Sequence, residues 1–266
     1  MTMVVWIIFI AAMIGAIFAV VFLVRAWLFK RHLKREFTRC NVIVAGKKGS
    51  GKDLLFQAMI NARKKPYYAN ISYGGKYRHV GLREISLSPN TPQDFIKDNI
   101  TMIERCFTED TDIYISDGGI YLPSYLDSVL YKQFPSLPIF YPLSRHISHS
   151  NIHVNVQNFG RVWKALREQA DAFVYVKKTL SLPGFLLIRA TWYDKYESAE
   201  ARLEPVRNRI FNKYSKAETD IYKASNGDIR QGWFIMRKAS VKYDTRAFEK
   251  VLYGDQPRIM ADQGVD

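Results

Sequence analysis

Residues Asn41 to Leu55 read NVIVAGKKGSGKDLL, and the order of side chains in that stretch decides the fold. Asn41 to Ala45 is a short apolar, β-branched run, as expected of a buried strand. It stops abruptly at Gly46, and Leu54, Leu55, Ala58 and Met59 then recur at helical spacing. Strand, glycine-rich loop and helix follow in that order. The loop, Gly46-Lys47-Lys48-Gly49-Ser50-Gly51-Lys52, fits G-x-x-x-x-G-K. In that pattern the glycines let backbone N–H groups close around phosphates, and the lysine reaches the β and γ oxygens. A basic, glycine-rich surface turn is the alternative, and the flanking strand and helix weigh against it. Gly46, Lys47, Lys48, Gly49, Ser50, Gly51, Lys52 and Asp53 are the candidate nucleotide-binding residues, with ATP and Mg²⁺ as the expected ligands.

Asp53 departs from the usual pattern, because the hydroxyl normally found there ligates Mg²⁺ and a carboxylate brings negative charge towards the phosphates. Lys47 and Lys48 are placed to offset that charge, and an aspartate can hold the ion directly or through water. Some phage and cellular nucleoside monophosphate kinases resemble this G-K-D variant, so the loop alone leaves a kinase open.

A second nucleotide element is expected to be an apolar strand ending in an acid, and TDIYISDGG, Thr111 to Gly119, supplies it. Asp117 would hold Mg²⁺ through water, which makes Asp53 and Asp117 the candidate metal residues. Gly118 follows, where many ATPases carry a glutamate that activates water, and a positioned general base is typically worth about 10²–10⁴-fold. A plain turn aspartate before Gly-Gly is the bland alternative. Further on, strands are expected at Ile152 to Gln157 and Ala172 to Lys177, with a helix near Arg161 to Gln169 between them. Gln157, at the end of its strand, falls where a residue can sense the γ-phosphate. Arg145, Arg161 or Arg167 can reach a nucleotide on a neighbouring subunit. The candidate catalytic set is Lys52, Asp117, Gln157 and Arg167.

Ahead of the loop, Met3 to Val24 carries no charge, and at about 1.5 Å per residue such a helix crosses a hydrocarbon layer of roughly 30 Å. Arg25, Lys30, Arg31, Lys34, Arg35 and Arg39 follow immediately, a positive flank of the kind retained on the cytoplasmic side. The expectation is a single-pass membrane protein, with its N-terminus outside and the nucleotide-binding domain on the cytoplasmic side. A cleaved signal peptide is disfavoured, since no basic residue precedes the apolar run. Ala11, Gly15 and Ala19 form a small-residue stripe suited to helix packing or to plain lipid contact. Residues 25 to 36 read as a basic amphipathic stem able to rest on anionic headgroups.

Across the 266 residues, 39 Lys and Arg stand against 25 Asp and Glu, and the formal charge of +14 suits nucleic acid or an anionic membrane face. Cys40 and Cys106 lack the spacing of a disulfide framework or a zinc knuckle, and read as small apolar residues in a reducing compartment.

Taken together, AGKKGSGKD, IYISDGGIYLPS, SRHISHSNIHVNVQNFGRVWKALREQADAFVYVKK and WYDKYESAE resemble the zonula occludens toxin-like family, the assembly ATPases of filamentous phages. The order and spacing match from about Val42 to Lys178, including Arg145-His146, a strand ending in Gln157, and Arg167. The resemblance implies an inner-membrane ATPase related to the FtsK and HerA group of DNA motors. Its partners would be other copies of itself in a ring, phage DNA or a DNA–protein complex, coat proteins and the host membrane. This chain differs from the family at Asp53, at Gly118 and in carrying its apolar helix before the ATPase domain.

His146, His149 and His153 straddle a loop and a strand with no completing ligand, and read as polar histidines rather than a metal set. Thr91, Pro92 and Asp94 open an amphipathic helix over residues 91 to 107. Trp192, Tyr193, Trp233 and Phe234 interleave with Arg189, Arg237 and Lys238, and read either as core aromatics flanked by solvated charges or as a surface for bases and phosphates. A polar helix is expected around Lys213 to Lys223.

The architecture expected is an α/β P-loop NTPase with a mainly parallel sheet, preceded by one transmembrane helix and followed by a small β-rich extension. The corresponding units are an anchor and stem over 1–36, the ATPase domain over 41–180 and the extension over 181–266. The function expected is ATP-driven assembly and extrusion of filamentous virions. The alternatives are a packaging or conjugative DNA pump, a nucleotide-binding scaffold with little hydrolysis and, less favoured, a nucleoside monophosphate kinase.

Overall fold

The first turn of structure after the loop begins at Lys52, where the left-handed backbone of Gly51 (φ 97°) hands the chain to helix α2 (Lys52–Arg63). The computed structural model describes residues 2–82, 92–107, 111–126, 149–195, 199 and 229–242. Upstream of the loop lie α1 (Thr2–Phe37) and β1 (Val42–Ala45). Downstream come β2 (Tyr67–Ala69), β3 (Tyr77–His79), α3 (Pro92–Cys106), β4 (Asp112–Ile115) and the short α4 (Gly118–Tyr121). β5 (Ile152–Val156), α5 (Lys164–Glu168), β6 (Ala172–Leu182), β7 (Phe185–Tyr193) and β8 (Ile229–Arg237) complete the described elements.

The strands form one sheet in the order β3-β2-β4-β5-β1-β6-β7-β8. From β3 to β6 every pairing is parallel, and β7 and β8 then add antiparallel to the β6 edge. The expected α/β P-loop architecture is therefore present, and its C-terminal strands extend the same sheet. β6 itself runs unbroken to Leu182, beyond the Lys177 expected from its pattern, because the turn residues Pro183 and Gly184 stop it only there.

β1 shows how the two layers are filled. Val42 and Val44 point into one core with Leu55, Phe56 and Met59 of α2, whereas Ile43 and Ala45 point into the other with Val154, Val156, Trp163 and Leu166. Being covered on both faces is why the run shows no polar alternation. The helix expected from Arg161 is shorter than its pattern: a 3₁₀ turn covers Phe159–Arg161, and α5 begins at Lys164.

α1 is continuous from the apolar run into the basic stem. Residues 3–24 are exposed, and the helix is long and apolar enough to cross a membrane. The stem differs from the sequence expectation, since its apolar stripe rests on protein rather than being free for headgroups. Ala26, Phe29, Leu33 and Phe37 are buried against the sheet and α2. Such burial is worth about 1.5–3 kcal/mol for each large side chain. Gly232 of β8 makes room for it: a Cβ there would lie 2.4 Å from Cγ of Phe29. The Lys30 ammonium donates to the carbonyl of Ile235 at 2.9 Å, and the His32 ring meets Trp192 edge-on at 5.2 Å.

His153 also departs from expectation. It is fully buried on β5, between the rings of Phe37 at 4.9 Å and Tyr114 at 4.7 Å, so it is a core residue rather than a polar loop histidine. Trp192, Tyr193 and Phe234 are core residues too, whereas Trp233 is half-buried beneath the cations of Lys178 and Arg189, each 5.7 Å from its ring centre. Arg145, His146, Thr91 and the stretch 213–223 lie outside the described residues.

Candidate nucleotide site

The phosphate loop is held shut by contacts that its glycines permit. A Cβ on Gly46 would lie 2.5 Å from both the Ser50 hydroxyl and the Val176 carbonyl, so only hydrogen fits. The Thr179 hydroxyl of β6 donates to the carbonyl of Ser50 at 2.7 Å, pinning the loop's far side to the sheet. Lys52 is buried, and its ammonium donates to the carbonyls of Gly46 (3.1 Å) and Lys47 (3.3 Å), which centres the charge within the loop. Lys47, Lys48 and Gly49 are exposed at its crest.

Asp53 is the centre of a network that joins the β2–β3 connection, the end of β4 and β5. One carboxylate oxygen accepts from the Tyr73 hydroxyl at 2.8 Å, the Ser116 hydroxyl at 2.7 Å and the Asn155 amide at 2.6 Å. Asn155 turns its carbonyl the other way and accepts from the backbone N–H of Asp117 at 2.7 Å. Asn70 in turn exchanges two hydrogen bonds with the backbone of Ser116, at 2.8 and 2.9 Å. The residue that breaks the usual motif thus ties the start of α2 to the ends of β4 and β5. Tyr73, Ser116 and Asn155 were not among the sequence-derived candidates. The available signal was the polar Asn155 set among apolar residues on the strand that ends at Gln157.

Asp117 stands at the end of β4 with a left-handed backbone (φ 49°). Its carboxyl is pushed above the ordinary aspartate range, first by burial and next by the negative charge of Asp53, with Lys52 and Lys48 pulling the other way. Asp53 is near enough for its charge to raise Asp117, and two neighbouring carboxylates are a donor set that suits a divalent cation. Mg²⁺ characteristically takes one or two carboxylates together with phosphate oxygens and water. Asp53 and Asp117 therefore fit the expected ion.

The same shift fixes a pH dependence. Because the folded carboxyl titrates above its unfolded value, the stability it contributes is present below the unfolded pKa and is lost as pH rises through the folded one. Asp117→Asn is expected to raise thermal stability without nucleotide at neutral pH and to erase the further rise produced by Mg²⁺ with ATP. A thermal melt series run upward in pH from the ordinary aspartate range to neutrality, with and without Mg²⁺ and ATP, checks both effects.

Gly118 is pressed onto β5, where a Cβ would lie 2.1 Å from Cγ1 of Val154. The position where a water-activating acid was sought has no room for any side chain. Gly118→Glu is expected to lower the melting temperature and leave nucleotide turnover no higher, as a paired melt and phosphate-release assay would show.

Gln157 is exposed directly after Val156, whose carbonyl accepts the N–H of Gly46 at 3.3 Å. It therefore sits at the loop's rim, 3.5 Å from an Arg161 guanidinium nitrogen. Arg167 lies elsewhere. It is on α5, which packs on the face of the sheet opposite α2, with its guanidinium beside Gly160. The structure brings Lys52, Asp53 and Asp117 together, places Gln157 next to them, and leaves Arg167 outside that cluster.

Three solved structures can be set beside this chain. One is the N-terminal domain of zonular occludens toxin from Neisseria meningitidis, at 13% identity and a TM-score of 0.42, covering 78% of this chain and 96% of that one. The others are of the genome packaging NTPase B204 from Sulfolobus turreted icosahedral virus 2. The complex with sulfate has 15% identity and a TM-score of 0.39, over 75% of this chain and 98% of that one. The complex with AMPPCP has 16% identity and a TM-score of 0.34, over 59% and 93%. No family model and no curated protein matches the sequence.

Proposed function

We propose that this protein is a membrane-anchored P-loop ATPase that drives assembly and extrusion of filamentous, single-stranded DNA virions across the host cell membrane. The observation that carries the nucleotide reading is the meeting of Lys52, Asp53 and Asp117 at the loop, with Gln157 at its rim. In this reading Lys52 and the loop N–H groups bind the phosphates, and Asp53 and Asp117 hold Mg²⁺, which would neutralise charge on the transferring phosphoryl group. Gln157 orients water or senses the γ-phosphate, and an arginine from a neighbouring copy, Arg167 among the candidates, completes the site in a ring. The burial of the stem on β8 and α2 supports an anchor that moves with the motor domain. Phage DNA and coat proteins are the partners that the family resemblance brings to this reading, and the basic charge of the chain suits the DNA.

The packed position of Gly118 favours one alternative, a nucleotide-dependent scaffold with little turnover. ATP hydrolysis by the detergent-solubilised oligomer, with and without single-stranded DNA, separates the two. Stimulated turnover that falls by about 10²-fold or more in Lys52→Ala and Asp117→Ala supports the motor. Tight binding without turnover under either condition supports the scaffold.

A further inference from the structure

Among the described residues, the tip of the β6–β7 hairpin gathers exposed apolar side chains. Outside α1, the exposed large apolar side chains among the described residues are Ile120, Tyr125, Leu180, Leu182 and Phe185, and the last three fall at this one tip. Leu182 pairs with Phe185 and Leu180 with Leu187 across the hairpin, so the three exposed side chains share one face. Cations ring the tip: Lys177 and Lys178 on β6, and Arg237 and Lys238 at the end of β8, where Arg237 pairs with Phe185. No Asp or Glu occurs in 177–189 or 229–242.

The long apolar helix leaves the domain over β8, the strand next to this hairpin. From Phe37, which packs on His153 and Trp192, α1 runs to Lys30, whose ammonium is bonded at Ile235. Phe29 lies over Gly232, so α1 crosses β7 and β8 and leaves the sheet at its β8 edge, with Lys30 on the flank towards Ile235 and Arg237. Lys30, Lys34, Phe185 and Arg237 line one cavity of about 370 Å³, which places the stem's cations beside the tip. Beyond this point residues 3–24 of α1 are exposed.

We propose that the hairpin tip, Leu180 to Phe185, is a second membrane contact that inserts into the interface of an anionic bilayer beside α1. The inference rests on the reading of α1 as a membrane span. Aliphatic and aromatic side chains above a collar of Lys and Arg match the acyl boundary and the anionic headgroups respectively. The collar, cationic throughout and beside the stem's own Lys30 and Lys34, commits the patch to an anionic lipid surface. The contact would reach the nucleotide site through one residue, because Thr179, next to Leu180, holds the Ser50 carbonyl of the phosphate loop.

The test uses the full chain in lipid nanodiscs containing phosphatidylglycerol, with Cys40→Ser and Cys106→Ala removing the native thiols. A single fluorophore is placed on Ser181→Cys or, as a reference for the span, on Ile14→Cys. Quenching by a lipid-borne nitroxide is compared with quenching by aqueous iodide. Lipid quenching is expected at both positions. At 181 it should be lost in Leu182→Asp/Phe185→Asp and reduced when phosphatidylcholine replaces phosphatidylglycerol, while position 14 is unchanged. Iodide quenching alone at 181, with lipid quenching at 14, overturns the proposal and leaves the span standing. Absence of lipid quenching at 14 overturns the span and the proposal with it. Shielding of 181 from both quenchers only in discs that hold two or more chains assigns the tip to a second copy, and overturns the lipid contact.

Discussion

Asp53→Ser, which places the usual hydroxyl at the end of the phosphate loop, is expected to destabilise the protein and, on the proposed function, to weaken binding of nucleotide with Mg²⁺. One Asp53 oxygen accepts three hydrogen bonds of 2.6 to 2.8 Å, from side chains on the Tyr73 turn, β4 and β5. Tyr73, Ser116 and Asn155 are all fully buried, so donors that lose this acceptor lose their charged partner in a largely dry setting. Hydrogen bonds to a charged acceptor are worth about 1.5–3 kcal/mol each, and their shared acceptor makes a total loss of roughly 3 kcal/mol the reasonable expectation. A serine hydroxyl is one atom shorter and cannot meet three donors on separate segments. Asp53→Asn keeps the accepting oxygen without its charge and should fall between the two. Denaturant unfolding of the ligand-free protein in detergent orders the three. A Ser variant as stable as the parent would show that the network carries no weight in the fold.

Phe37→Ala is the second large expected effect. Phe37 is completely buried where the stem meets the sheet, against His153 at 4.9 Å and Trp192 at 6.4 Å. Removing a buried phenyl group typically costs about 3–5 kcal/mol, the spread reflecting how far the site collapses. Trp27→Ala, ten residues earlier on the exposed side of the same helix, should leave the unfolding midpoint of the sheet domain almost unchanged. A thermal melt followed by near-ultraviolet circular dichroism compares the pair. Equal effects of the two substitutions would mean that the stem does not belong to the folded core.

These two residues also mark how legible the chain was. The P-loop fold could be read because its signals are local: a β-branched run, glycines at fixed spacing and a helical period lie within nineteen consecutive residues, Asn41 to Met59. Asp53 was recognised as unusual by the same local rule, yet its role was not, since the groups that use its charge lie 20, 63 and 102 residues away. Gly118 was noticed as a missing acid, whereas its reason, the Val154 methyl against it, belongs to a neighbouring strand. The stem was read as amphipathic, and periodicity supplies an apolar face without saying what covers it.

By itself, the sequence determined the strand-loop-helix order, the acid-bearing strand, the uncharged helix of membrane-spanning length and the basic balance. Each depends on residues near one another in the chain or on composition, and both survive any arrangement of the remainder. The tertiary structure alone decided that β5 stands between β1 and β4, that Asn155 joins Asp53 to Asp117, and that β7 and β8 carry the stem. Those facts are pairings between distant segments. Their side chains satisfy one another's hydrogen bonds and apolar surface only after the sheet has assembled, so no local pattern records which partner each one finds.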